Sequence, residues 1–150
     1  MIENINQLYQ LTKLRIAKVR DIKMSGSIDV YDLSRVSNRA LHLCLFDLVL
    51  ERHRENYGRF GVKLSGKVAA HHFLMLKYQW TLHECRTLSL YDLLIALQDE
   101  ILMFKTSATN EVLMKEITRI HSGIYPDDFE NYLDDEWDPT LASAVLYSRG

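Results

Sequence analysis

Residues 29–57 read DVYDLSRVSNRALHLCLFDLVLERHRENY, and this stretch decides the fold. Its apolar side chains return every three or four residues, which places them on one face of an α-helix. The stripe consists of Val30, Leu33, Leu41, Cys44, Leu45, Leu48 and Val49. The last turns become charged, and glycines at 58 and 61 then break the pattern. We therefore predict a long central helix over 29–57.

Similar periodicity appears on both sides of this segment. It predicts a basic amphipathic helix over 2–22, a helix from a cap at Ser65 or Gly66 to residue 80, and a helix over 90–105 opened by Ser89 and Asp92. A fifth helix is expected after Thr109 or Asn110, ending at 122–123. Prolines at 126 and 139 suit the first turns of two short terminal helices.

Length and composition indicate how these helices are organised. A chain of 150 residues has the usual size of one domain, and it is 47% hydrophobic and 25% charged. It contains only two prolines and six glycines, whereas an all-β domain needs many turns built from such residues. We predict an all-α fold, a single-domain bundle of about five to seven helices over 1–150.

The sequence also bears on the location of the protein. The two cysteines, Cys44 and Cys85, lack the spacing of a disulfide framework or a zinc site, which favours a reducing, cytoplasmic setting. Residues 1–10 carry polar side chains where a signal peptide would be apolar. The apolar run over 43–50 is too short to span a bilayer, so no membrane association is expected.

The most unusual feature is an acidic C-terminal segment, 126–150, which concentrates its charge between residues 127 and 138. Seven acidic residues and no basic ones lie there, whereas the other 13 acidic residues of the chain are set against 18 basic ones. The acids are Asp127, Asp128, Glu130, Asp134, Asp135, Glu136 and Asp138, and they alternate with Phe129, Tyr132, Leu133 and Trp137. The molecule is therefore polarised in charge.

An anionic and aromatic surface is suited to binding a basic protein partner. We predict that the seven acids, with Phe129, Tyr132 and Trp137, form the partner-binding site of a non-catalytic inhibitor, such as a bacterial toxin-immunity protein. Alternatively, the aromatic residues anchor a terminal helix while the acids face water or pair with the basic first helix.

Catalytic and metal motifs give little support to an enzyme. The acidic segment lacks the glycine and terminal glutamate of an EF-hand loop. His71, His72, His83 and Cys85 are common types of zinc ligand, but adjacent histidines on a helix point about 100° apart. There is no Gly-x-Ser-x-Gly turn and no phosphate-binding glycine loop. We expect no metal and no cofactor.

One catalytic alternative comes from Arg35 and His42, which are separated by six residues on the central helix. This spacing resembles that of the helical HEPN-type nucleases. The resemblance implies a ribonuclease in which histidine moves the 2′-hydroxyl proton and arginine stabilises phosphate charge. Val36 departs from the family, which often has a polar residue after the arginine.

Two further alternatives remain. Basic residues along the first helix and around residues 52–67 could contact nucleic acid, although the acidic end and a pI near 6.3 oppose it. The protein could also be a structural subunit of a larger assembly. The preferred hypothesis is the inhibitor of a basic protein.

Overall fold

A computed structural model describes residues 4–147 of the chain. Eight α-helices follow one another in this part, and none of its residues forms a β-strand, so the all-α prediction is confirmed with one helix more than expected. The helices are α1 (Ile5–Val19), α2 (Val30–Tyr57), α3 (Lys67–Tyr78), α4 (Leu82–Arg86), α5 (Leu90–Ala96), α6 (Gln98–Thr106), α7 (Glu111–Ile120) and α8 (Leu141–Val145). The first residues of the helix predicted over 2–22 and the last residues of the segment 126–150 lie outside the described residues, which leave out 1–3 and 148–150.

Helix α2 is the predicted central helix, and its ends have clear chemical causes. The Asp29 carboxylate accepts the backbone N–H groups of Tyr31 and Asp32 at 2.8 and 3.2 Å, which satisfies donors that the helix leaves free. At the other end, a Cβ on Gly58 would lie 2.6 Å from the carbonyl oxygen of Arg54. A glycine is therefore required where the helix stops.

The hydrophobic core lies between α2 and the helices packed around it. Helix α1 packs along α2, and α6, α3 and α8 also contact α2. Fully buried core side chains come from α1, α2, α3, α5 and α7: Leu8, Ile16, Leu43, Phe46, Leu48, Leu50, Leu74, Leu93 and Ile117. Truncating one such leucine to alanine costs about 2–5 kcal/mol of folding free energy.

The region predicted as one helix over 90–105 is two helices. Its start is as expected, because Ser89 and Asp92 form a capping box. At Leu97 the backbone leaves the helical region, with φ −109° and ψ 17°. The Leu97 N–H still bonds the Leu93 carbonyl at 3.0 Å, so α5 and α6 follow each other closely. Helix α4 was not predicted, and Thr81 caps it through the N–H of Glu84.

The chain after α7 is irregular up to a 3-10 turn at Asp134–Glu136. The prediction of a short helix after Pro126 is therefore wrong, whereas α8 does follow Pro139. The backbone carbonyls of Phe129 and Asn131 accept hydrogen bonds from the Arg39 guanidinium, which satisfies them without a helix.

Helix α8 is tied to α2 through a buried carboxylate. Glu51 is 3% exposed and accepts hydrogen bonds from the Ser143 hydroxyl at 2.6 Å and the Tyr147 hydroxyl at 3.1 Å. Arg54, one turn further along α2, pairs with the same carboxylate. Within residues 4–147, no helix is both long enough and apolar enough to cross a bilayer.

Candidate functional site

The acidic segment forms a strap, residues 127–138, that lies against α1 and α2. Arg39 on α2 is 1% exposed and grips the start of the strap. Its Nε and Nη2 atoms donate to the two carboxylate oxygens of Asp127 at 2.7 and 3.0 Å, and its Nη1 donates to the Asn131 carbonyl at 2.6 Å. This paired geometry makes a strong, directional contact between guanidinium and carboxylate.

The end of the strap is held by Glu136, whose side chain has no exposed surface. Arg20 Nε donates to Glu136 Oε1 at 2.9 Å, and Arg39 Nη1 lies 3.3 Å from Oε2. The backbone N–H of Leu133 also donates to Oε1, at 3.0 Å. Burial by itself would lower the pKa of Arg39, but the hydrogen bond and charge of Asp127 and the charge of Glu136 raise it. The buried charge of Arg39 is thus compensated by the carboxylates of Asp127 and Glu136.

Aromatic side chains of the strap cover these cations. The guanidinium carbons of Arg20 and Arg35 lie 4.6 and 4.3 Å from the centre of the Phe129 ring. The guanidinium carbon of Arg39 lies 3.6 Å from the centre of the Tyr132 ring. Each contact places a cation over an electron-rich ring face, which is attractive. Both half-buried aromatic residues therefore hold the strap in place.

Trp137 anchors the strap to the core. It is 4% exposed, and its ring centre lies 5.0 Å from that of Phe46. Its indole N–H donates to Asp47 Oδ1 at 2.8 Å. Desolvation raises the pKa of the fully buried Asp47 to about 7, although the Trp137 hydrogen bond and the charge of Arg54 oppose the change. A partner therefore has almost no access to Trp137 or Glu136.

The other acids of the strap reach the surface. Asp128, Glu130, Asp134 and Asp135 are exposed, and Asp138 is partly exposed and caps the backbone at Thr140. Asp128 lies 3.3 Å from Arg35 Nη1 and accepts the Tyr31 hydroxyl. The ten predicted site residues thus form one continuous element with two faces. Direct partner contact by the outward acids stays a prediction.

The strap also adjoins a surface that the sequence analysis did not identify. Asp134 Oδ1 accepts the backbone N–H of Leu90 at 2.8 Å and so joins the strap to the start of α5. Beyond this point Tyr91, Ile95 and Leu102 are 49%, 53% and 59% exposed. A sequence signal for this surface did exist. Tyr91, Ile95 and Leu102 are spaced by four and seven positions and lie outside the predicted core face of 90–105.

A shallow groove of about 260 Å³ runs beside these apolar residues. Its lining is mixed: His42 of α2, Tyr132 of the strap, and Tyr91, Leu94, Ile95 and Gln98 of α5 and α6. Burial lowers the pKa of His42, which favours the neutral imidazole near pH 7. The groove therefore combines the apolar side chains of Leu94 and Ile95 with polar groups from His42, Gln98 and two tyrosines.

The arginine of the ribonuclease alternative is engaged within the protein. Arg35 Nη2 lies 2.6 Å from Asp32 Oδ1, and Nη1 lies 3.3 Å from Asp128 Oδ1. Seven positions correspond to nearly two helical turns, so Arg35 and His42 share one face of α2. In this arrangement the guanidinium is neutralised by carboxylates, which compete with a phosphate group.

The histidines that resembled metal ligands have other partners. The His72 Nδ1 atom lies 2.8 Å from His53 Nε2, and His53 stacks on Phe73 with a ring distance of 4.5 Å. His71 and Cys85 are buried, whereas His83 is exposed. Across the described part of the chain, no group of three or more His, Cys, Asp or Glu side chains is placed to hold a metal ion.

Comparisons with family models, curated proteins and solved structures found no match to this chain. The function is therefore argued from the arrangement of the strap and of the surface beside it.

Proposed function

We propose that the protein is a non-catalytic inhibitor that binds a basic protein partner through the outward face of the acidic strap. One observation supports this proposal most directly. Arg20 and Arg39 bind the inward side of the strap through Asp127 and Glu136. Other carboxylates of the strap point outward. A bacterial toxin-immunity protein that neutralises a nuclease-like toxin in the cytoplasm has this physical character, and it is the specific form of the proposal.

Fixed carboxylates favour binding for two reasons. First, an ordered surface loses less conformational entropy on association than a mobile acidic tail does. Second, a concentrated negative field accelerates encounter with a cationic groove, an effect that falls as salt rises. In a nuclease, such a groove holds phosphate groups, which the carboxylates of Asp128, Glu130, Asp134 and Asp135 would replace.

The experiment neutralises two acids that do not support the fold. The side chains of Glu130 and Asp135 are exposed and make no ion pair within residues 4–147. The variant Glu130→Gln/Asp135→Asn is used as bait in native-host lysate beside the wild type. Glu84→Gln/Glu111→Gln is the control, because it makes the same change in net charge at exposed sites on α4 and α7.

A basic protein should be enriched by the wild type and the control and lost from the strap variant, as quantified by mass spectrometry. Raising the salt concentration should weaken capture, and all three melting temperatures should agree within a few degrees. Equal capture by the three baits, or enrichment of acidic proteins alone, would refute the proposal.

The ribonuclease resemblance is the second candidate, favoured by the shared helix face of Arg35 and His42. Purified protein is incubated with total RNA beside His42→Ala. RNA cleavage that disappears in the variant would replace the inhibitor proposal with a catalytic one. The inhibitor proposal expects no cleavage from either protein.

A further inference from the structure

The outward face of α5 and α6 carries an apolar stripe without an intramolecular cover. Tyr91, Ile95 and Leu102 are each about half exposed, although their neighbours Leu93, Leu94 and Ile101 are buried. Tyr91 and Ile95 lie about one turn apart on α5, and positions 98 and 102 lie about one turn apart on α6. The backbone leaves the helical region at Leu97, but the alternation of buried and exposed positions keeps the same phase in α6, because Ile101 is buried and Leu102 is exposed. The exposed apolar positions therefore lie on the same outward side of both helices.

Beside the stripe, the groove lined by His42 and Tyr132 offers a recess for a side chain. Its volume of about 260 Å³ suits one large apolar side chain. A stripe of apolar positions next to a recess is the arrangement that an amphipathic helix recognises through residues spaced by three, four and seven positions.

The charges around the stripe are mainly negative. Asp92 and Asp99 are exposed on one flank, and Asp134 and Asp135 lie at the end where the strap meets Leu90. Two lysines also lie there: Lys77 of α3 pairs with Glu100 at 2.7 Å, and the exposed Lys105 lies near the far end. A cationic occupant would be attracted to this surface, whereas nucleic acid would be repelled.

The same charges decide between a foreign partner and a second copy of the chain. Two copies that faced each other through this surface would bring several carboxylates together. Lys77 of each copy is already paired with its own Glu100, so Lys105 would remain to offset them. Like charges at an interface oppose association by several kcal/mol when they are closely juxtaposed. The surface therefore favours a partner of opposite charge.

We propose that the α5–α6 face, with its groove, binds an amphipathic helix of the partner that has an apolar side and basic flanks. This inference rests on the proposed function and adds which element of the basic partner makes contact. The partner helix would lay its apolar side on Tyr91, Ile95 and Leu102, insert one side chain beside His42, and place Lys or Arg near Asp92 and Asp99.

The probe for this inference is a fluorescent 17-residue peptide of leucine and lysine with apolar positions at helical spacing. A second peptide of the same composition alternates leucine and lysine and so cannot form an amphipathic helix. Affinities are measured by fluorescence anisotropy against the wild type, Ile95→Ser/Leu102→Ser and Phe60→Ser/Val62→Ser. The last variant is the matched control, because Phe60 and Val62 are 90% and 79% exposed in a distant loop.

The helical peptide should bind the wild type and the control at least about tenfold more tightly than the alternating peptide does. Ile95→Ser/Leu102→Ser should remove about tenfold or more of that affinity. Because both residues are half exposed, the substitutions leave the core intact, and unchanged circular dichroism spectra verify the fold.

Failure of the inference is distinguishable from failure of the proposed function. If Glu130→Gln/Asp135→Asn abolishes capture of a basic protein but Ile95→Ser/Leu102→Ser does not affect the peptide, the helix-binding face is refuted and the inhibitor stands. Equal binding of the two peptides also refutes the face. If the lysate experiment fails but the helical peptide binds at the stripe, the surface is supported and the acidic strap is not the determinant.

Discussion

Asp47→Asn should remove a pH dependence of stability that the buried carboxyl group creates. Asp47 has a pKa of about 7, whereas an ordinary aspartate has 3.8. The folded state therefore binds a proton that the unfolded state has lost between pH 4 and 7, so this group destabilises the fold as pH rises through that range. At about 1.4 kcal/mol for each tenfold change in proton affinity, the full effect is about 4 kcal/mol.

The asparagine keeps an oxygen that can accept the Trp137 indole N–H, so the fold should survive the change. Urea unfolding is followed by tryptophan fluorescence for both proteins between pH 4 and 8, and the free energies of unfolding are subtracted at each pH. Subtraction cancels the titration of groups common to both proteins. The variant should match the wild type within about 1 kcal/mol at pH 4 and exceed it by several kcal/mol at pH 8. A difference that is constant with pH would refute the reasoning.

Two other substitutions test how the molecule is held together. Arg39→Ala leaves Asp127 and Glu136 without their buried guanidinium, so the free energy of unfolding, measured in urea, should fall by about 3–5 kcal/mol. A fall below about 1 kcal/mol would contradict the role of Arg39 in holding the strap. Burial lowers the pKa of His53 to about 4, so acidification from pH 6.5 towards 4 protonates the unfolded state first and destabilises the fold. When the pH is lowered from 7 to 5, the melting temperature of His53→Phe should therefore fall less than that of the wild type. An identical fall would contradict this explanation.

The strap shows how an acidic segment can be part of the fold and still expose carboxylates. On the inward side, Asp127 and Glu136 pair with Arg39 and Arg20. On the outward side, Asp128 pairs with Arg35, whereas the exposed Glu130 and Asp135 make no ion pair within residues 4–147. The net field at the surface is therefore smaller than the seven carboxylates in the sequence suggest. It is, however, presented at fixed positions next to α5, which is the property that the proposed inhibitor requires.

Local signals in the sequence were sufficient for most helices. The apolar periodicity of residues 29–57, the side-chain cap at Asp29 and the capping box at Ser89 act over a few residues, so they can be read without knowledge of the fold. They determined the all-α class, the central helix and most of the core. The break at Leu97 lacked such a signal. The short helix α4 did have one, Thr81 followed three positions later by Glu84, but its five residues are too few to show periodicity.

Tertiary structure alone decided which acids face inward. The partners of Asp127 and Glu136 are arginines about 90 to 120 positions away in the sequence, and no local rule relates such distant residues. Periodicity also cannot tell a carboxylate that pairs with a buried guanidinium from one that faces solvent. The sequence by itself determined that the C-terminal segment is acidic and aromatic. Packing against α1 and α2 divided it into a buried clamp and an exposed face, because burial of a charge requires a partner that only the folded chain supplies.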